Sequence, residues 1–321
     1  MKQFAGLLAF GILASSATLA QTNPCAVAGT NNAFLGIQTV RLWAGDAPEA
    51  KGKSCEDIPT LTVMGPRHGA ENGSAVIILP GGSYRNLAAD LEGREIADWF
   101  TARGFRAFIL SYRLTSNGYV LPIPLLDARR AIQTVRGRAA DYHIDPNRIV
   151  VIGFSAGGHL AALAGTQFVP GNPDADDPID RASSRPDYLV LGYPWIGAIS
   201  MDTSHLNYCK LYNLMDRCEA LSKAYSPDLF VTKETPPTFM YHTFTDQTVP
   251  VEQGLRFYEA LIRAGVPSEM HIFANGAHGS GLGKGDASLD QWPGLLETWL
   301  RGHGLLNHDD SSAASKTPAT H

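Results

Sequence analysis

The stretch RIVVIGFSAGGHLAALA, residues 148–164, decides the fold. It opens on an apolar, β-branched run with no polar alternation, which is how a strand buried on both faces reads. It then turns through Gly153-Phe154-Ser155-Ala156-Gly157 and continues into small residues suited to a close-packed helix. A serine forced onto so sharp a strand-to-helix turn is held in a strained conformation. The flanking glycines remove side chains that would collide with the strand and the helix. The same turn sets Ser155 at a helix amino end, where unpaired N–H groups and the helix dipole favour developing negative charge.

Working outward, the same alternation of apolar runs and amphipathic stretches recurs from residue 75 on. Ala75–Leu79 predicts a buried strand ending at Pro80-Gly81-Gly82, with a helical segment around Glu92–Arg103 and a strand over Phe105–Tyr112. Pro124 suits the first turn of a helix carrying Leu125, Ala128, Ile132 and Val135 at helical spacing. Tyr188–Tyr193, Thr238–His242 and Glu269–Phe273 read as further strands, and Leu295–Leu300 as a closing helix. Between the last two strands, Val251, Leu255, Tyr258, Leu261 and Ile262 share one helical face. Strands of this kind form a mostly parallel sheet covered by helices on both faces, an α/β domain whose functional loops gather at the carboxyl edge. Two stretches, 170–186 and 196–235, interrupt the rhythm. Both are expected to leave the carboxyl edge, the second as a small cap-like insertion.

A serine at its ordinary pKa needs a base within hydrogen-bond reach. His278 stands in the glycine-rich Asn275–Gly279 loop straight after the last strand, free to approach Ser155. His242 and His271 lie inside strands and His205 in the insertion, positions less suited to a base. The acid that orients the histidine should end the preceding strand, and Asp246 does so, with Glu252 and Asp228 as rivals. Gly82 and Ser83 follow the first core strand, so their backbone N–H groups can converge with that of Ala156 into an oxyanion hole.

The composition fits such a reading. The chain has 321 residues, 44% hydrophobic, with a formal charge of −5, which argues against binding nucleic acid. Residues 1–20 have the pattern of an export signal: Lys2, an apolar run from Phe4 to Leu13, and small residues at Thr18 and Ala20. That run is short for a stable membrane anchor. Four cysteines agree with an oxidising compartment; of their three possible pairings the order favours Cys25–Cys55 with Cys209–Cys218, and no Cys-x-x-Cys or ligand-spaced histidine pair supports a zinc site. The mature domain is expected over residues 21–304 and a disordered tail over 305–321. Gly279–Gly285 lacks the Ser or Thr that a phosphate loop needs after its lysine, and Asp174–Asp180 lacks the glycine of a calcium loop.

Taken together, the segments LPGGSYRNLAADLEGREIADWF, FILSYRL, IVVIGFSAGGHLAA, TFMYHTFTDQTVPVEQGLRFYEAL and NGAHG resemble the carbohydrate-esterase relatives of the hormone-sensitive-lipase-like α/β-hydrolases. That group holds acetyl xylan and feruloyl esterase-like enzymes. The resemblance implies the α/β-hydrolase fold and hydrolysis through an acyl-enzyme. It places the nucleophile on Ser155, the acid on Asp246 and the base on His278, and requires no metal or cofactor. The expected substrate is an acetyl or feruloyl ester of plant-wall carbohydrate, met outside the cytoplasm, secreted or periplasmic. A general short-chain carboxylesterase, a peptidase or amidase, and a catalytically silent binding scaffold remain as alternatives. One departure stands out: Pro80 and Ser83 occupy positions where relatives carry further glycine or His-Gly-Gly-Gly.

Overall fold

The computed structural model describes residues 25, 38–66, 69–197, 208–211 and 213–306. The expected export signal (1–20) and His205 lie outside the described residues, as does residue 307 onward of the expected tail.

In chain order the strands are β1 (Gln38–Arg41), β2 (Thr60–Met64), β3 (Ala75–Leu79), β4 (Arg106–Ser111), β5 (Ile149–Phe154), β6 (Tyr188–Gly192), β7 (Thr238–Thr243) and β8 (Ser268–Phe273). The helices are α1 (Glu95–Thr101), α2 (Ile123–Gly137), α3 (Ala156–Thr166), α4 (Tyr208–Leu211), α5 (Cys218–Ala224), α6 (Glu252–Ala264) and α7 (Trp292–Gly302). The strands form one sheet in the order β1-β2-β4-β3-β5-β6-β7-β8. β1 and β2 pair antiparallel, and β2 also runs antiparallel to β4, while β3 to β8 are parallel. This is the α/β-hydrolase fold that the resemblance implied, with an antiparallel edge that the buried runs alone did not reveal.

The central strands explain the two-layer cover. Successive side chains alternate between faces, so Ile77, Leu79, Val151 and Leu191 pack with α2, α3 and α6 through Leu125, Ile132, Leu160 and Phe257. Val76, Ile78, Val150 and Ile152 point the other way, onto Ile96 and Phe100 of α1 and Trp292, Leu296 and Trp299 of α7. Each such side chain, fully withdrawn from water, contributes about 1.5–3 kcal/mol of hydrophobic stabilisation. α2 begins one residue before Pro124, which therefore sits in the first turn, where its missing N–H leaves no bond unmade.

Two expectations change. The 170–186 stretch joins the end of α3 to the start of β6, which is the amino edge of the sheet rather than the carboxyl edge. Arg130 on α2 explains its course by pairing with both Asp177 and Asp180. The fold also reaches past Gly304: Leu305 and Leu306 are buried, and the Leu305 carbonyl accepts a hydrogen bond from Ser74 Oγ. The cysteines pair as Cys25–Cys55 and Cys209–Cys218. No helix among the described residues is long and apolar enough to cross a membrane.

Candidate active site

β5 ends at Phe154 and α3 begins at Ala156, leaving Ser155 alone in the turn with φ 52° and ψ −119°. That region is costly for any residue with a Cβ, by about 1–3 kcal/mol, and persists only where the surroundings impose it. Here they do. A Cβ on Gly157 would collide with the carbonyl oxygens of Leu79 and Pro80, and one on Gly153 would collide with that of Gly157. The glycines let β3, the turn and α3 close on one another.

β7 and β8 deliver the partners. Asp246 follows β7 with its side chain fully buried, and His278 follows β8 in a loop that brings its ring to the serine. His278 Nδ1 lies 2.7 Å from Asp246 Oδ2, and its Nε2 lies 2.8 Å from Ser155 Oγ. An ionised carboxylate only accepts, so Nδ1 carries the proton and donates it to Asp246; Nε2 then accepts from the serine hydroxyl. The other Asp246 oxygen accepts the backbone N–H groups of Thr248 and Val249, both at 2.8 Å. Burial alone would push the Asp246 carboxyl up, but the hydrogen bonds from His242, His278 and Val249 outweigh it. They hold the group well below the usual carboxylate range. The arrangement can take a proton from a hydroxyl while stabilising the imidazolium that results.

The loop after β3 runs beside this series. A Cβ added to Gly81 would lie 3.0 Å from that of Ser155, so the loop backbone passes directly over the serine. Gly82, Ser83 and Tyr84 all have positive φ, at 127°, 55° and 60°. Side chains from elsewhere hold this unusual run. Thr115 donates to the Tyr84 carbonyl through its N–H (2.8 Å) and its Oγ1 (2.6 Å). Tyr112 Oη donates to the Pro80 carbonyl at 2.7 Å. Tyr84 Oη donates to His159 Nδ1 at 2.8 Å, because His159 Nε2 is committed to the Tyr225 carbonyl. Burial pushes His159 down to about 4, so it stays a neutral acceptor at ordinary pH.

Of the residues singled out from sequence, Ser155, Asp246 and His278 come together in one hydrogen-bonded series. Gly82, Ser83 and Ala156 lie in the two segments that meet around the serine. The rival carboxylates are elsewhere: Asp228 pairs with Arg256 at 2.7 Å, and Glu252 is exposed at the start of α6. His271 pairs with Glu269 on β8, at 2.6 Å. His242 is closer to the site than its place inside a strand suggested. Its Nε2 donates to the Val249 carbonyl at 2.8 Å and lies 3.5 Å from Asp246 Oδ2. The reading from sequence also passed over Glu92, a buried carboxylate beside the loop. Its one signal was position, since Glu92 precedes Ile96 and Phe100 at four-residue steps on an apolar face. Among the described residues no His, Cys, Asp and Glu cluster could hold a metal ion.

Comparisons with known proteins agree with this architecture. The chain is 38% identical to the acetyl ester-xyloside bifunctional hydrolase of Caldicellulosiruptor lactoaceticus, with a TM-score of 0.77 over 84% of this chain and 97% of that one. It is 28% identical to the propionate-bound esterase Est2 of Thermogutta terrifontis, with a TM-score of 0.69 over 85% and 97% of the two chains. Against the acetylxylan esterase of Xylanibacter ruminicola it is 31% identical over 72% of its own length, but spans only 46% of that protein. The BD-FAE family profile matches residues 61–261, more than half of the chain and the whole span from β2 into α6. The chain therefore belongs to the BD-FAE family of α/β-hydrolases.

Proposed function

We propose that this chain is an exported serine esterase that removes short acyl groups, acetyl above all, from plant-wall carbohydrate through an acyl-enzyme. The observation that carries the reading is the Ser155–His278–Asp246 series, with contacts of 2.8 and 2.7 Å. In the first step Ser155 Oγ attacks the ester carbonyl while His278 Nε2 takes the hydroxyl proton. The resulting oxyanion is met by backbone N–H groups of Gly82 and Ser83 on one side and Ala156 on the other. As the C–O bond to the alcohol breaks, His278 returns the proton to the leaving oxygen. Water, deprotonated by the same imidazole, then attacks the acyl-serine. The acid leaves and Ser155 regains its proton.

Several features support the finer points. The acetyl preference rests on the similarity to an acetyl ester-xyloside hydrolase and an acetylxylan esterase, and a short acyl group on the propionate-bound relative. Export rests on the pattern of residues 1–20 together with the two disulfides.

The test is hydrolysis of p-nitrophenyl acetate, acetylated xylan and methyl ferulate by the purified protein beside Ser155→Ala. Serine-dependent release of acetate from the xylan is the expected result. Release from p-nitrophenyl acetate alone would reduce the reading to a general short-chain carboxylesterase. Appreciable turnover by a folded Ser155→Ala variant would overturn the nucleophile.

A further inference from the structure

The proton series uses one buried carboxylate, Asp246. A second one, Glu92, lies beside the loop after β3 and takes no part in that series. Glu92 sits in the π-helical turn Asp90–Arg94 that leads into α1, and only 3% of it is exposed. Its Oε2 accepts the Gly81 N–H at 2.7 Å and its Oε1 accepts the Tyr193 hydroxyl at 2.8 Å. Tyr193 in turn accepts the Gly281 N–H at 3.1 Å and packs the edge of its ring against His278, with centroids 4.9 Å apart. The Gly281 carbonyl is fixed as well, by Tyr241 Oη at 3.0 Å and Trp292 Nε1 at 3.1 Å.

We propose, resting on the esterase reading above, that Glu92 is a positioning residue that ties the oxyanion loop to the histidine loop and fixes the distance between them. Gly81 is the residue whose peptide plane leads into the Gly82 and Ser83 N–H groups, and Gly281 closes the loop that carries His278. One carboxylate therefore braces both halves of the machinery that must face a single tetrahedral carbon. The chemistry requires a carboxylate at this place. Gly81 offers a donor, and Tyr193 donates its one hydroxyl proton to Glu92 while a lone pair of the same oxygen accepts from Gly281. Two donors converge on one side chain, and only a carboxylate accepts at both ends. A glutamine of the same shape presents an amide N–H₂ to one of them, which sets donor against donor at Gly81 or turns the Tyr193 proton away from the pair. Burial pushes the Glu92 carboxyl above the usual carboxylate range, and the hydrogen bonds from Tyr193 and Gly81, with the nearby His278, offset part of that push. A core has no need of such a group, since replacing it with hydrocarbon would remove the desolvation cost. Its retention beside the reacting serine is explained by the two loops that it joins.

The experiment compares the parent protein with Glu92→Gln and Tyr193→Phe. Active sites are counted by titration with a fluorophosphonate. Then kcat and KM for p-nitrophenyl acetate are measured per active site, and Ki for a trifluoromethyl ketone, whose tetrahedral adduct needs an aligned oxyanion hole. A displacement on the order of 1 Å costs about 100-fold in rate, so Glu92→Gln is expected to lose roughly that much kcat per titrated site. KM should stay within about threefold and the ketone Ki should rise in step with the loss of kcat. A merely structural role would lower the number of titratable sites and leave the Ki of the remainder unchanged, which would overturn the proposal. So would a Glu92→Gln variant within about threefold of the parent in kcat. If Glu92→Gln fails to fold, Tyr193→Phe carries the test, because it keeps the Gly81 contact and removes only the second donor. It should lose about tenfold in kcat with a matching rise in Ki, and an unchanged Ki would refute the brace. A parent protein that is neither labelled at Ser155 nor active would instead overturn the esterase reading itself.

Discussion

The two loops that flank Ser155 are built on opposite plans. The one after β3 keeps its left-handed backbone at Ser83 and Tyr84, residues that resist it, and holds them with Glu92, Thr115, Tyr112 and His159. The one after β8 takes positive φ at Gly276, Gly279, Gly281, Gly283 and Gly285, where no Cβ objects. Its side-chain anchors grip two of these glycines: Thr243 Oγ1 donates to the Gly276 carbonyl at 3.0 Å, and Tyr193, Tyr241 and Trp292 hold Gly281, while the ring itself has Asp246. The difference follows from what each loop presents. Backbone N–H groups can be aimed at an oxyanion only if the whole loop is immobile, so strain and many contacts are tolerated there. An imidazole that gains and loses a proton needs one strong partner and a backbone that brings the ring into place.

The sharpest way to break the histidine side is at that partner. In Asp246→Asn the amide oxygen settles where the Thr248 and Val249 N–H groups converge. That leaves the N–H₂ group facing His278 Nδ1. The ring must then carry its proton on Nε2, toward Ser155, and can no longer accept one. A loss of roughly 10⁴ in kcat is expected, with the fold intact. Less than about tenfold would point to another carboxylate as the histidine's partner.

The oxyanion side should fail at its backbone instead. A Cβ on Gly82 would overlap the Asn86 carbonyl oxygen, and its φ of 127° is closed to alanine. Gly82→Ala is therefore expected to displace the loop and cost about 10²–10³ in kcat for p-nitrophenyl acetate, the range for a lost oxyanion donor. A rate within tenfold of the parent would show that the oxyanion is stabilised elsewhere.

The ease of reading these two sides from sequence differed for the same physical reason. The Ser155–His278–Asp246 series is legible because each member follows a strand by five residues or fewer, and parallel strands bring their carboxyl ends to one edge. Local pattern was enough. β1 and β2 were not legible: Thr60-Leu61-Thr62-Val63 alternates weakly between Pro59 and Gly65, and its partner β4 lies far along the chain. Glu92 escaped for a similar reason, since it joins Gly81 to Tyr193 across a sequence separation of 101 from the latter. His242 lies inside a strand, and its approach to Asp246 depends on the turn that folds residues 244–249 back over β7. The 170–186 stretch lies at the edge opposite to the one its sequence suggests, because a Pro- and Asp-rich composition marks a loop without saying at which end of the sheet it lies.

The mildest change tests whether the histidine loop tolerates a change of backbone beside the imidazole, as its run of positive-φ glycines implies. Gly279 follows His278 directly, has a φ of 73°, and would meet nothing within 4 Å if it gained a Cβ. Gly279→Ala therefore has only the left-handed backbone to accommodate, at a cost of about 1 kcal/mol. For a domain of this size that is a fall in Tm of roughly 2 °C, and kcat should change by less than about threefold. A loss beyond tenfold with a normal Tm would mean that small shifts of the imidazole are not tolerated. The histidine loop would then be as rigidly specified as the oxyanion loop, held by contacts that pass through its backbone instead of its side chains.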